Sequence, residues 1–276
     1  MTKLRAVAEP RRKGARRISE IPPAVLEALN TGQTETVNLV EWLAVDRIVL
    51  LEMVLPRLGL RAVTPMALAE IAKLPKPTAT KISPAVGAAL LAALRGKANR
   101  DSLFEKLATH RSDIVRSWAV YVVGFDDELK LAQKLAAVRR FAADSHFGIR
   151  EEAWYAVRPD IDRELDKAIK VLVRWTRDKD ENIRRFASEA TRPRGVWCKH
   201  IEALKLHPEL GEPILEPMRS DPSKYVRDSV ANWINDASKT RPDWAKEVCS
   251  RWLKTSQTKE TAYIINKALR TIQKVP

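Results

Sequence analysis

Cysteine is nearly absent: Cys198 and Cys249 are the two in 276 residues, and neither stands in a Cys-x-x-Cys pair. That argues against a disulfide framework and against a thiolate zinc site. The four histidines (His110, His146, His200, His207) never take the His-Glu-x-x-His spacing, so no metal is expected. Long apolar runs are missing too. Glu52 and Arg57 interrupt the best stretch, from Ile48 to Leu60, well short of the ~20 residues of a membrane span. No apolar segment opens the chain, which excludes a typical secretory signal and points to a cytoplasmic protein. Glycine is scarce, at nine residues, and alternating apolar–polar runs of strand type are almost absent.

What remains is helical. Apolar residues return at i, i+3, i+4 and i+7, as in Leu39, Trp42, Leu43, then Leu50, Met53 and Val54. Prolines such as Pro22, Pro23, Pro213 and Pro242 sit where helices would start or connect. Positive charge dominates: 49 Lys and Arg against 35 Asp and Glu give +14. Such a balance favours polyanionic partners, because each neutralised phosphate releases counterions. Charge kept only for solubility would look the same.

A repeat organises the second half. Segments 112–121, 147–156, 181–190 and 224–233 each place an aliphatic residue before an arginine and then a helix rich in small apolar residues. The aliphatic anchors Val115, Ile149, Ile183 and Val226 are spaced by 34, 34 and 43 residues, and Arg116, Arg150, Arg184 and Arg227 follow them. Another apolar helix precedes each. The pattern predicts an all-α, HEAT-like helical-repeat solenoid, a right-handed α-α superhelix whose inner helices line a basic concave face. The expected layout is a basic, disordered tail at 1–20, where seven Lys and Arg face two Glu, and a single repeat domain at 21–276. Within it, 21–100 reads as N-terminal cap helices, with 61–84 a proline-containing connection bearing one short helix, and 101–276 as helix pairs.

Chemistry-bearing residues gather between 154 and 236. Arg185 and Glu189 are four apart, hence on one helix face, and Trp197 follows the Arg192-Pro193-Arg194 turn. Asn232 and Asp236 are again four apart, as are Trp154 and Arg158. On successive inner helices these would form a groove with two carboxylates, several arginines and indole rings. An exposed ion pair, packed indoles and a helix cap would explain the same residues without any function.

The phrases IRRFASEATRPRGVWC (183–198) and DPSKYVRDSVANWINDASKTRPD (221–243) resemble the bacterial DNA alkylation-repair glycosylases of the AlkC/AlkD superfamily, AlkC more closely than AlkD. The 47-residue interval from Glu189 to Asp236 and the terminal KALRTIQK (267–274) are similar as well. The likeness covers about residues 145–275 and is weaker upstream.

The resemblance implies a monofunctional glycosylase that needs no cofactor and hydrolyses the N-glycosidic bond of cationic N-alkylated bases, such as N3-methyladenine or N3-methylcytosine, in duplex DNA. It implies a nucleoid-associated monomer that makes no use of a membrane. It makes Glu189 and Asp236 the catalytic acids, with Trp154, Arg185, Trp197, Trp233 and Glu151 beside the substrate. Arg150, Arg158, Arg184, Arg192, Arg194 and Arg227 would hold the DNA backbone. Carboxylates suit this chemistry, because the departing base is already cationic and the sugar becomes an oxocarbenium ion. At ~4 Å and an effective dielectric of ~20, one carboxylate contributes on the order of 4 kcal/mol, roughly a thousandfold in rate.

One departure separates two expectations. Where AlkC-like proteins carry an acid in a phrase similar to EFAVRP, this chain reads WYAVRP (154–159), so the indole of Trp154 takes the place of a carboxylate. Glu152 lies ~200° around the helix and Glu151 ~300°, which makes Glu151 the better-placed substitute. If Glu151 does not serve, the alternative is a non-catalytic HEAT-repeat protein that binds damaged or branched DNA. A protein-interaction scaffold, the common use of HEAT arrays, is the third reading.

Overall fold

The computed structural model describes residues 12–196 and 198–274. Trp197 and residues 1–11 lie outside them. Every regular element among the described residues is helical, with no strand. The chain divides into two compact units, Met1–Ala119 and Val120–Pro276. The boundary between the units falls inside a helix.

In the first unit a short 3-10 turn at Ile18–Glu20 leads into α1 (Pro23–Asn30), α2 (Leu39–Ala44), α3 (Arg47–Arg57), α4 (Val63–Ala72), α5 (Ala79–Leu94) and α6 (Arg100–Ala108). Helix α7 (Asp113–Phe125) begins in this unit and ends in the next. The stretch 61–84 is not a connection: it holds α4 and the first turns of α5, which runs straight through Pro84. Its apolar positions Ile82, Val86, Leu90, Leu91 and Leu94 are all buried and hold one face of α5 in the core. Nor is 12–20 a disordered tail. Arg12 pairs with the buried carboxylate of Glu41, and Asn38 Nδ2 donates to the Ala15 carbonyl at 2.8 Å.

The second unit is built from helix pairs: α8 (Leu131–Ala142) with α9 (Phe147–Arg163), then α10 (Leu165–Trp175) with α11 (Glu181–Ala190). Short α12 (Glu202–Leu206) and α13 (Glu212–Leu215) precede α14 (Lys224–Ser238), and α15 (Pro242–Thr255) pairs with α16 (Lys259–Ala268). Helices α9, α11, α14 and α16 pack in succession as one layer; α8, α10 and α13 lie along the other. This is a HEAT-like arrangement. Helix α10 shows why it forms: Leu165, Ala168, Ile169, Leu172 and Trp175 are buried at helical spacing, leaving a polar outer face. Truncating Leu172 to Ala would cost about 2–5 kcal/mol.

The aliphatic anchors Val115, Ile149, Ile183 and Val226 are all buried. The arginine that follows each anchor bonds in the same way, its Nη1 reaching back to two carbonyls of the preceding turn. Arg150 donates to Asp144 O at 2.8 Å and Ser145 O at 2.9 Å, and Arg184 to Asp178 O at 2.9 Å and Lys179 O at 3.2 Å. Arg227 donates to Asp221 O at 2.8 Å and Pro222 O at 2.7 Å, and Arg116 to His110 O at 2.9 Å and Arg111 O at 3.0 Å. Carbonyls of the loop that leads into each helix are thus satisfied by a cation in that helix's first turn. The aliphatic–Arg phrase is a fold device, and it explains the repeat without any ligand.

Candidate active site

Three successive helices of the layer formed by α9, α11, α14 and α16 bring the acidic residues together. Helix α11 contributes Arg185 and Glu189, α14 contributes Tyr225, Ser229 and Asp236, and α9 contributes Glu151 and Trp154. The turn after α11 supplies Arg192. Glu189 and Asp236 are 6% and 3% exposed, too buried to be an ordinary surface pair.

Arg192 lies between the two acids. Its Nη1 donates to Glu189 Oε1 at 2.8 Å, while Nε and Nη2 both reach Asp236 Oδ2 at 2.8 Å. The second oxygen of Glu189 accepts from Ser229 Oγ at 2.7 Å and lies 3.5 Å from Arg185 Nη2. Ser188 Oγ donates in turn to Ser229 Oγ at 2.8 Å. Asp236 Oδ1 faces Lys239 Nζ at 3.4 Å, and its backbone carbonyl accepts from Arg194 Nε at 3.2 Å. Burial disfavours the charge on Glu189, but Arg185, Arg192 and the Ser229 hydrogen bond outweigh it and hold the carboxyl below its ordinary value. Glu189 is a carboxylate at neutral pH.

Glu151, rather than Glu152, joins this cluster. Its Oε1 accepts from Arg185 Nη2 at 2.8 Å and its Oε2 from Trp154 Nε1 at 2.9 Å. Glu152 is instead bound to the Tyr121 hydroxyl, inside the core. The Trp154 indole therefore does not simply delete a carboxylate, because it hydrogen-bonds one that arrives from a turn earlier. Arg185 lies with its guanidinium carbon 4.2 Å from the centre of the Tyr225 ring. Burial works against its charge, and Glu189, Glu151 and Tyr225 together raise its pKa regardless.

Several expected site residues stand elsewhere. Trp233 is 0% exposed, packed on Trp244 at 5.7 Å between ring centres, with Nε1 3.3 Å from Thr191 Oγ1. Gly211 touches its ring so closely that a Cβ there would overlap it. Trp233 is a core residue and cannot stack on a sugar. Arg158, 3% exposed, donates to the carbonyls of Ala190 at 2.9 Å, Arg192 at 2.6 Å and Lys199 at 3.1 Å. It staples the turn after α11 and so fixes where Arg192 sits. Arg184 makes a fork on Asp221, at 2.7 and 3.0 Å, besides its turn carbonyls. Arg150 lies against Tyr225, 5.3 Å from the ring centre, and Arg227 against Tyr263 at 5.4 Å. These arginines and Arg192 first serve contacts within the chain. The position of Trp197 lies outside the described residues.

Sequence reading missed Tyr225, Ser229 and the bridging place of Arg192. A signal existed. Tyr225, Ser229 and Asp236 fall at i, i+4 and i+11 on one stripe of α14, and Arg185 and Glu189 share a stripe of α11 that ends just before Arg192. Arg158 also borders a cavity of about 570 Å³ with Tyr155, Asp162 and Cys198. Burial pushes the Cys198 thiol up, against the opposing pull of Arg158 and Arg192, which leaves it a poor nucleophile. Among the described residues no group of three or more His, Cys, Asp or Glu side chains is placed to hold a metal ion, and no helix is long and apolar enough to cross a membrane.

No protein-family model matches the chain. A curated relative, the uncharacterized protein YhaZ of Bacillus subtilis, is 45% identical over 120 residues, which are 44% of this chain and 33% of YhaZ. The chain thus matches about a third of that relative's length. Among solved structures it is similar to the Pseudomonas fluorescens alkylpurine DNA glycosylase AlkC bound to DNA containing an abasic site analog. That match has a TM-score of 0.69 and 25% identity, covering 95% of this chain and 66% of the AlkC chain, just under two thirds. It is also similar to AlkD2 from Streptococcus mutans, with a TM-score of 0.57, 20% identity, 76% of this chain covered and 97% of AlkD2. The chain therefore carries an AlkC/AlkD-like alkylpurine glycosylase fold.

Proposed function

We propose that the protein is a DNA glycosylase that releases cationic N-alkylated bases, such as N3-methyladenine or N3-methylcytosine, from duplex DNA. The observation that carries this reading is the pair of buried carboxylates, Glu189 and Asp236, tied to one guanidinium. It is supported by the likeness to AlkC, whose solved complex holds DNA with an abasic site analog.

Each acid has a definite suitability. Glu189, held ionised below its ordinary pKa, is a weak general base and a good fixed negative charge. Its role is electrostatic: it stabilises the oxocarbenium-like sugar as the base leaves. Asp236 is the partner that orients the attacking water. Glu151, oriented by Trp154 and Arg185, supplies the third negative charge on the side of α9. Only a base weakened by its own positive charge leaves without further protonation, so the chemistry itself selects alkylated bases. Hydrolysis by water makes the enzyme monofunctional.

Single-turnover base release from duplex DNA treated with a methylating agent tests the reading. The expected result is release by the wild type and slowing of roughly a hundredfold in Glu189→Gln and Asp236→Asn, with DNA still bound. DNA binding without any base release would favour the second reading, a non-catalytic DNA-binding protein. The specific observation on its side is that Arg185 and Arg192 already balance the carboxylates.

A further inference from the structure

The first unit carries a basic segment that is held in place rather than loose. Arg12 anchors it: one Nη pairs with Glu41 Oε1, and the other donates to Glu41 Oε2 at 2.9 Å and to the Glu35 carbonyl at 3.3 Å. Glu41 is 1% exposed and also accepts from the Val37 amide at 3.0 Å. A second tie, Asn38 Nδ2 to Ala15 O at 2.8 Å, follows three residues later. Between the two ties Gly14 passes so near Asn38 and Val37 that a Cβ would overlap them.

This anchoring sorts the charges. The acids beneath the segment are neutralised by arginines that face inward: Glu41 by Arg12, and Glu35 by the buried Arg116 at 2.9 Å. Lys13, Arg16 and Arg17 are left exposed on the outer side. Glu20 is the nearby exposed acid, 3.8 Å from Arg17, and such a pair is weak in water. Arg111 is also exposed, its Nη1 bonded to the Gln33 carbonyl at 3.3 Å.

We propose that the pinned segment 12–17 is a second DNA contact, with Lys13, Arg16 and Arg17 binding backbone phosphates of the duplex. This rests on the reading of the protein as a DNA-acting enzyme. It adds a phosphate-binding surface in the first unit, apart from the carboxylates of the second. Its physical advantage is entropic: cations on an anchored strand are already ordered, whereas a loose tail must be ordered on binding. The contact reads no sequence, because phosphates carry none.

The test is the salt dependence of binding of a fluorescein-labelled duplex, followed by anisotropy over about 50 to 200 mM salt. Three proteins are compared: the wild type, Lys13→Ala/Arg16→Ala/Arg17→Ala, and Lys246→Ala/Lys254→Ala/Lys259→Ala. The last removes the same charge from exposed positions on and beside α15. For three phosphate contacts the slope of log K against log salt should fall in magnitude by roughly 2 to 3 in the arm variant and stay at the wild-type value in the control. Glu41→Gln, which keeps all three cations but loosens Arg12, should weaken binding despite its added positive charge. An unchanged slope in the arm variant, or equal losses in arm and control variants, overturns the proposal. A wild type that does not bind duplex DNA at all overturns the functional reading itself.

Discussion

Asp236 receives two nitrogens of Arg192 on one oxygen, Nε and Nη2 each at 2.8 Å from Oδ2. The remaining Nη of the same guanidinium is spent on Glu189. One cation thus holds two acids whose like charges would otherwise repel in a buried place. Removing it should expose both the repulsion and the burial. Arg192→Gln should destabilise the fold by about 3–5 kcal/mol, because it leaves buried charge uncompensated. Arg192→Lys should recover part of that. The sign with pH follows from Glu189. Its folded pKa lies below the ordinary 4.5, so its contribution is complete above that value and is lost as pH falls through the folded pKa. In Arg192→Gln the loss should begin at higher pH, as urea denaturation across a pH series would show.

Tyr225 supports Arg185 from below, with the guanidinium carbon 4.2 Å from its ring centre. Arg185 in turn spans Glu151 and Glu189. Tyr225→Phe keeps the ring and should cost less than about 1 kcal/mol. Tyr225→Ala removes it, and base release should slow by about tenfold, a loss of ~1.4 kcal/mol in the transition state. Equal rates for the two variants would show that the ring plays no part in holding Arg185.

Arg158 should behave as a structural residue. Its three donors hold the carbonyls of Ala190, Arg192 and Lys199. Arg158→Ala should destabilise the protein by on the order of 3 kcal/mol and speed amide exchange in residues 191–201 before the rest. A phosphate contact alone would instead leave stability unchanged and reduce the salt slope of DNA binding by about one.

Asp228 ties α14 to α16. Lys224 Nζ at 2.8 Å, Lys267 Nζ at 2.7 Å and Tyr263 Oη at 2.6 Å surround it. Burial disfavours its ionisation, but these donors win and lower the pKa from 3.8 to about 2. The stabilisation is present above pH 3.8 and disappears as pH falls through about 2. Solvent reaches part of the carboxylate, so Asp228→Asn should cost about 1 kcal/mol near neutrality. The difference between variant and wild type should vanish toward pH 2.

The repeat was legible in the sequence, because each anchor must be apolar to be buried and each following arginine must satisfy carbonyls of the loop just before its helix. Both are local demands, set within six residues, and they return with every helix pair. The faces of α11 and α14 that carry Glu189 and Asp236 were legible for the same reason: helical spacing places residues on a stripe. By contrast, Pro84 suggested a break where α5 continues, and the basic composition of 12–20 suggested disorder where a buried acid 29 residues away holds Arg12.

By itself, then, the sequence determined the helices, their repeat and the stripes on which the acids stand, since these follow from periodicity within a few residues. Only the tertiary structure decided which partners those stripes meet. It buried Trp233 in the core, turned Arg158 onto carbonyls 32 to 41 residues ahead, brought Glu151 rather than Glu152 to Arg185, and set Arg192 between two carboxylates from different elements. Spacing specifies a direction around one helix. The neighbour found in that direction depends on how separate helices pack.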